Sequence, residues 1–227
     1  MTPIIVELLY KMIAFLFAIS VHESAHAWTA SRCGDPTARM LGRVSLNPIR
    51  HIDLLGTIIL PLIAAYSSQG LIGWAKPTPV DPRNFRHPVM DDILTSVAGP
   101  VSNVIVATGA LLLLGGISLS SASGHALVMG LASGFSGAAS DSALVPVAVL
   151  LYVLMIINIW LAVFNLIPVP PLDGSHVLRH FLSDPVRMMY DRIGIFALLA
   201  LVFLAPRLLN SLIGPPVNFY LSMLGKF

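Results

Sequence analysis

The chain is short of charge. Asp, Glu, Lys and Arg make up only 11% of its 227 residues, where soluble domains carry roughly 25%. Hydrophobic residues reach 56% and mean hydropathy is +0.84. A water-soluble domain is thereby excluded, and the lipid bilayer is the expected surroundings. Thirteen basic residues against eleven acidic ones leave a formal charge of +2, too balanced for a nucleic-acid partner. The single cysteine, Cys33, rules out an intrachain disulfide. The apolar run from Ile4 has no basic segment before it and no small-residue cleavage site after it, so a retained helix is expected rather than a leader. Internal repeats and low-complexity tracts are also lacking.

Apolar length is what the chain has instead. A helix needs roughly 20 apolar residues to cross a hydrocarbon core, and residues 4–28, 91–118, 143–167 and 191–213 supply that. A fifth stretch, 54–73, carries Pro61 and is bordered by glycines, so it either crosses or dips in and returns. The expected fold is an all-α membrane protein in one domain over 1–227. It is a bundle of four to six transmembrane helices with a re-entrant or additional short apolar segment at 54–73. Short β-like loop elements are expected near the active site: Leu41 to Pro48 alternates weakly, and the prolines at 77, 79 and 82 make the following loop extended but a poor strand interior. "CGDPTA" reads as a turn, because the residue before Pro36 is biased away from helix.

Basic residues give sidedness. Arg32, Arg39, Arg43 and Arg50, then Lys76, Arg83 and Arg86, then Arg179, Arg187 and Arg192, fall in three loops, while 119–142 holds no Lys or Arg. If the four long segments cross and 54–73 does not, with Pro61 marking its turn, all three basic loops lie on one side, the cytoplasmic one.

One of these apolar segments is interrupted by "HESAHAW". His22 and His26 are four apart, hence on one helical face and able to grip one metal ion, with Glu23 beside them as a candidate proton acceptor. This is the zinc-hydrolase spacing H-E-x-x-H. Ionisable groups inside a membrane are costly and usually functional. Zinc needs a third protein ligand and an open position. Asp173, in "NLIPVPPLDG" after the 143–167 segment, reaches the same side as His22 in the topology above. A single extra crossing at 54–73 would put it on the opposite side.

"HESAHAW", "SVAGPVSN" at 96–103 and "NLIPVPPLDG" at 165–174 resemble, in order and depth, the motifs of the site-2 protease family of intramembrane zinc metalloproteases. "SRCGDP", "SLNPIRHIDLLGTIILP" and "GWAKPTPVDPRNFR" further resemble its short prokaryotic branch without a PDZ domain. The resemblance implies one zinc ion held by His22, His26 and Asp173, with Glu23 as catalytic base. It also implies transmembrane protein substrates cleaved in a prokaryotic cell membrane, at an active site towards the cytoplasm.

Other residues take their reading from chemistry. Asn165, on an apolar helix eight residues before Asp173, is a candidate amide donor to the oxyanion, and Asn158 is expected to serve helix packing. Asn103 follows Pro100, which is expected to open a helix. His176 and His180, also four apart, have no acidic companion in the sequence except Asp173 and are expected to support the site or sit at the interface, as is His51. The stretches 43–46 and 76–80 are candidate edges for an unwound substrate strand. Two alternatives stay open: a membrane metal-binding or transport protein, which has no use for Glu23 as a base, and a catalytically silent scaffold or chaperone of the same fold.

Overall fold

Three helices that pack on one another carry the site. In a computed structural model, which describes residues 3–66, 73–134 and 143–227, α1 runs over Pro3–Cys33 and is followed by the short α2, Thr37–Met40. A wide helical turn at Leu54–Ile59 leads into α3, Leu60–Tyr66. Then come α4 (Pro88–Ser120), α5 (Ala122–Ala132), α6 (Val145–Asn165), α7 (Asp173–Arg179), α8 (Asp184–Leu204) and α9 (Pro206–Leu224). Helices α1, α4 and α6 are each long and apolar enough to cross a membrane and pack mutually.

Their interfaces are lined with small side chains. Ala14, Ala18, Ala27 and Ala30 of α1, Ala107 and Ala110 of α4, and Ala148 and Ala162 of α6 are all buried. Lipid tails are as apolar as leucine, so helices gain by close backbone approach rather than by hiding large apolar groups. The large groups point outward: Ile5, Leu9, Ile13 and Phe17 on α1 and Leu112 and Leu113 on α4 are exposed, as a lipid-facing surface requires. Leu114, Leu127, Val128, Met155 and Leu224 close the core at the end away from the site.

Two expectations need correction. Residues 191–213 do not form one straight span: α8 and α9 meet at 82°. Pro206 has no N–H to continue the helix and disfavours helical geometry at the preceding residue, and Ala205 sits at φ −125°, ψ 45°. Among the described residues three helices qualify as spans, or four with the bent pair counted as one, and only the latter count reaches the low end of the expected four to six. Nor is there a strand among the described residues: the backbone N–H groups of Arg43 and Ser45 turn back to Ala38 and Arg43, leaving 41–48 without an extended partner.

The chain comes back beside the start of the 54–73 segment immediately after it. The Trp74 N–H donates to Gly56 O at 3.0 Å and the Thr57 hydroxyl to Trp74 O at 2.8 Å, so the two ends of the segment lie together. Pro61 lies within the continuous helical run Leu54–Tyr66 and does not itself turn the chain back; residues 67–72 lie outside the described residues. In the arginine- and lysine-free stretch, α5 folds back on α4, capped by the Ser121 hydroxyl accepting from Gly124 N at 3.0 Å. Residues 135–142 of that stretch lie outside the described residues.

Candidate metal centre

Helix α1 sets His22 and His26 one turn apart with their Nε2 atoms 3.0 Å from each other. Asp173 opens α7 and turns its carboxylate onto both, with Oδ2 3.1 Å from Nε2 of His22 and Oδ1 3.4 Å from Nε2 of His26. One ligand atom from each of the three lies within 4.8 Å of the others. Both histidines are buried. Asp173 arrives because α7 doubles back on the end of α6 through Gly174. A Cβ there would come within 2.8 Å of the Ile167 carbonyl oxygen and closer still to that of Leu166, so only glycine allows the approach.

The residues fit a zinc ion. Oδ2 of Asp173 is buried without a hydrogen-bond donor, an expensive state for a carboxylate oxygen unless a cation faces it. Gly99 of α4 keeps the space open, since a Cβ there would lie 2.7 Å from Nε2 of His22 and nearer still to Nε2 of His26. Two imidazoles and one carboxylate form a zinc donor set with a fourth position left for substrate. Nδ1 of His26 is 2.7 Å from the Thr95 carbonyl, which can only accept, so Nδ1 carries the proton and Nε2 the lone pair. Nδ1 of His22 instead meets Oδ1 of Asn103 at 2.5 Å. Pro100, three residues before, lies inside α4 and not at its start; it deprives the Ser96 carbonyl of its helical donor.

Glu23 stands beside this cluster and outside it. Its Oε2 accepts from Thr78 N at 2.8 Å and Thr78 Oγ1 at 2.7 Å, and the same hydroxyl lies 3.0 Å from the Glu23 carbonyl oxygen. Pro77 and Pro79 have no N–H, so Thr78 offers the one backbone donor in that tripeptide. The strap from Gly73 to Asp81 is tied down along its length. The buried Arg43 guanidinium donates to the carbonyls of Lys76 at 2.8 Å and Pro77 at 2.7 Å, and to that of Arg50. Lys76 N donates to His51 O at 2.8 Å. His51, expected at the interface, is fully buried with Nε2 2.7 Å from Ser45 O. With both N–H groups and two carbonyls of Lys76–Thr78 engaged, that edge has little left to pair with a substrate strand.

The far end of the strap hangs on Asp35. This fully buried carboxylate accepts from Asp81 N at 2.8 Å, Asn84 Nδ2 at 2.9 Å, and the N–H and hydroxyl of Thr37 at 3.1 and 2.5 Å. Burial pushes its pKa up, but these donors, Thr37 foremost, hold it below the usual carboxylate range. Gly34, at φ +118°, makes the corner that turns Asp35 inward, a conformation other residues adopt only with strain.

His176 and His180 have an acidic companion after all. Asp92 of α4 places Oδ2 2.7 Å from Nε2 of His180 and 3.8 Å from Nδ1 of His176, tying α7 to α4. Asn165 donates from Nδ2 to Leu161 O at 3.0 Å, one turn back on its own helix. Asn158 bridges helices as expected, accepting from Asn103 Nδ2 at 2.7 Å. Sequence reasoning missed Thr78, Arg43 and Asp92; the Pro-Thr-Pro triplet was the one local signal for the first.

A model of peptidase family M50 matches residues 10–205. The chain is 36% identical to the protein named "Putative zinc metalloprotease YwhC" of Bacillus subtilis over 178 residues, 78% of this chain and 71% of that one. It is 29% identical to "Putative zinc metalloprotease Rip2" of Mycolicibacterium smegmatis over 170 residues, 74% of this chain and 56% of the relative. Rip2 of Mycobacterium tuberculosis is also 29% identical, over 86% of this chain and 66% of its own length. The chain thus spans less than two thirds of either Rip2 protein. No solved structure matches. A family match over most of the chain, joined to a cluster of two histidines on α1 and the aspartate that opens α7, places the chain in peptidase family M50, among zinc metalloproteases.

Proposed function

We propose that this M50 protein is an intramembrane metalloprotease that hydrolyses peptide bonds within or next to transmembrane segments of membrane-protein substrates. The observation that carries the reading is the convergence of His22, His26 and Asp173 inside a helix bundle built for lipid, with Glu23 adjacent yet outside the ligand set. Those three side chains would hold one zinc ion per chain, which when bound would supply Lewis-acid polarisation. Glu23 takes the water proton and passes it to the leaving amine. Thr78 saturates Oε2, so Oε1, which takes no hydrogen bond among the described residues, is the oxygen that receives it. Asn165 spends one amide hydrogen on Leu161 and keeps the other for the developing oxyanion.

A prokaryotic cell membrane is the reading the bacterial relatives support, and a site towards the cytoplasm the one that basic-residue placement supports: Arg43, Lys76 and Arg83 all sit in the loops between α1 and α4. A substrate helix must be unwound before attack, since its carbonyls are internally bonded. Val44 and Leu46, exposed beside the buried Ser24–Ser45 contact, are the edge offered to the unwound strand. Val44→Pro should slow cleavage with zinc content unchanged; full activity would discard that edge.

The deciding experiment compares wild type with Glu23→Gln on a transmembrane reporter, with zinc quantified in both. Loss of about 10²- to 10⁴-fold in rate with zinc retained is expected. Equal cleavage by the variant, or none by zinc-loaded wild type on any transmembrane reporter, would turn the reading towards a metal-binding protein or a silent scaffold.

A further inference from the structure

We infer that Asn103 and Asn158 are positioning residues that fix the tautomer and ring orientation of His22, a role that rests on His22 being a zinc ligand. The chain of hydrogen bonds starts from a fixed point, the main-chain carbonyl of Leu154, which can only accept. Asn158 therefore donates to it from Nδ2 at 2.8 Å, which turns its Oδ1 towards Asn103. Asn103 in turn donates from Nδ2 to that oxygen at 2.7 Å. A second acceptor, the Ala18 carbonyl of α1, lies 3.4 Å from the same nitrogen and fixes the same amide orientation independently. Oδ1 of Asn103 is thus left facing Nδ1 of His22 at 2.5 Å. An amide oxygen only accepts, so Nδ1 carries the proton and Nε2 turns its lone pair into the space it shares with Nε2 of His26 and the Asp173 carboxylate. Polarity set by one backbone carbonyl on α6 reaches the ligand nitrogen on α1 through two amides. Both asparagines are fully buried, so no bulk water competes for these bonds.

His26 takes its orientation from the backbone of Thr95, which no side-chain replacement removes. His22 alone is held by a replaceable side chain. Partners that orient a metal-bound histidine are typically worth about 10- to 100-fold in metal affinity.

The test uses the purified full chain, with zinc affinity read by chelator competition, the cobalt-substituted absorption spectrum, and melting followed by circular dichroism. Asn103→Leu should weaken zinc by about 10- to 100-fold and alter the cobalt spectrum. Asn158→Leu should weaken zinc less than Asn103→Leu and still shift the spectrum; it carries the test if Asn103→Leu fails to fold. Wild-type zinc affinity and spectrum in a folded leucine variant would overturn the relay while leaving His22 as a ligand. A wild type or His22→Ala result showing that zinc does not need His22 would sink the ligand reading and the relay together.

Discussion

The chain holds two clusters of one composition, each a pair of histidines a helical turn apart with an aspartate from a distant segment. In the first, Asp173 keeps a buried oxygen without a donor, both imidazole Nε2 atoms lie within 3.4 Å of its carboxylate, and Gly99 leaves room between them. In the second, His180 donates directly to Asp92, while His176 stays 3.8 Å away and partly exposed. Histidine spacing does not separate a metal site from an ion pair. Convergent lone pairs around an open volume do. The second cluster still serves the first, because α7, which it pins to α4, begins with Asp173.

The sharpest way to break this distinction is metal analysis of one histidine from each cluster. His26→Ala should strip the bound zinc and abolish cleavage, whereas His176→Ala should keep one zinc per chain; loss of zinc from both would merge the clusters. A smaller effect is expected from Asp92→Ala, which leaves His180 without its anionic acceptor. It should lower stability by about 1–3 kcal/mol, read as an earlier thermal transition, and loosen zinc secondarily as α7 gains freedom. An Asp92→Ala protein as stable as wild type would deny the second cluster its structural part.

Asp35 supplies a third buried carboxylate for contrast, satisfied by neutral donors alone. Its pKa is lowered in the folded protein, so its contribution is present above the ordinary carboxylate value and is lost as pH falls through the lowered one. Wild type should therefore lose melting temperature as pH falls below the ordinary carboxylate range, and Asp35→Asn should flatten that slope. An unchanged slope would show that Asp35 adds no acid-sensitive stability.

The convergent cluster of His22, His26 and Asp173 was legible because it obeys local rules. His22 and His26 follow helical spacing inside an apolar run, and Asp173 stands out as a charge following another such run. The strap was not legible, because its bonds join groups far apart in sequence, such as Thr78 with Glu23 and Arg43 with the Lys76 and Pro77 carbonyls. Asp92 was overlooked beside Asp91 near the start of α4, where acidic residues are ordinary complements to the helix dipole. The α8–α9 bend escaped because hydropathy sums over a window and is blind to direction, although Pro206 was in plain view. The Asn103 relay lay hidden for a related reason: its polarity belongs to three helices at once.

Gly99 has a consequence for how proteins of this kind are told apart. The centre depends on a void as much as on its ligands, so a single added carbon at 99 would place a methyl group where the cation belongs. A descendant carrying that change would still show HESAH and the distant aspartate in its sequence, and would be inert. Judging whether such a chain is alive or silent therefore means reading the smallest residue facing the histidines, not only the histidines themselves.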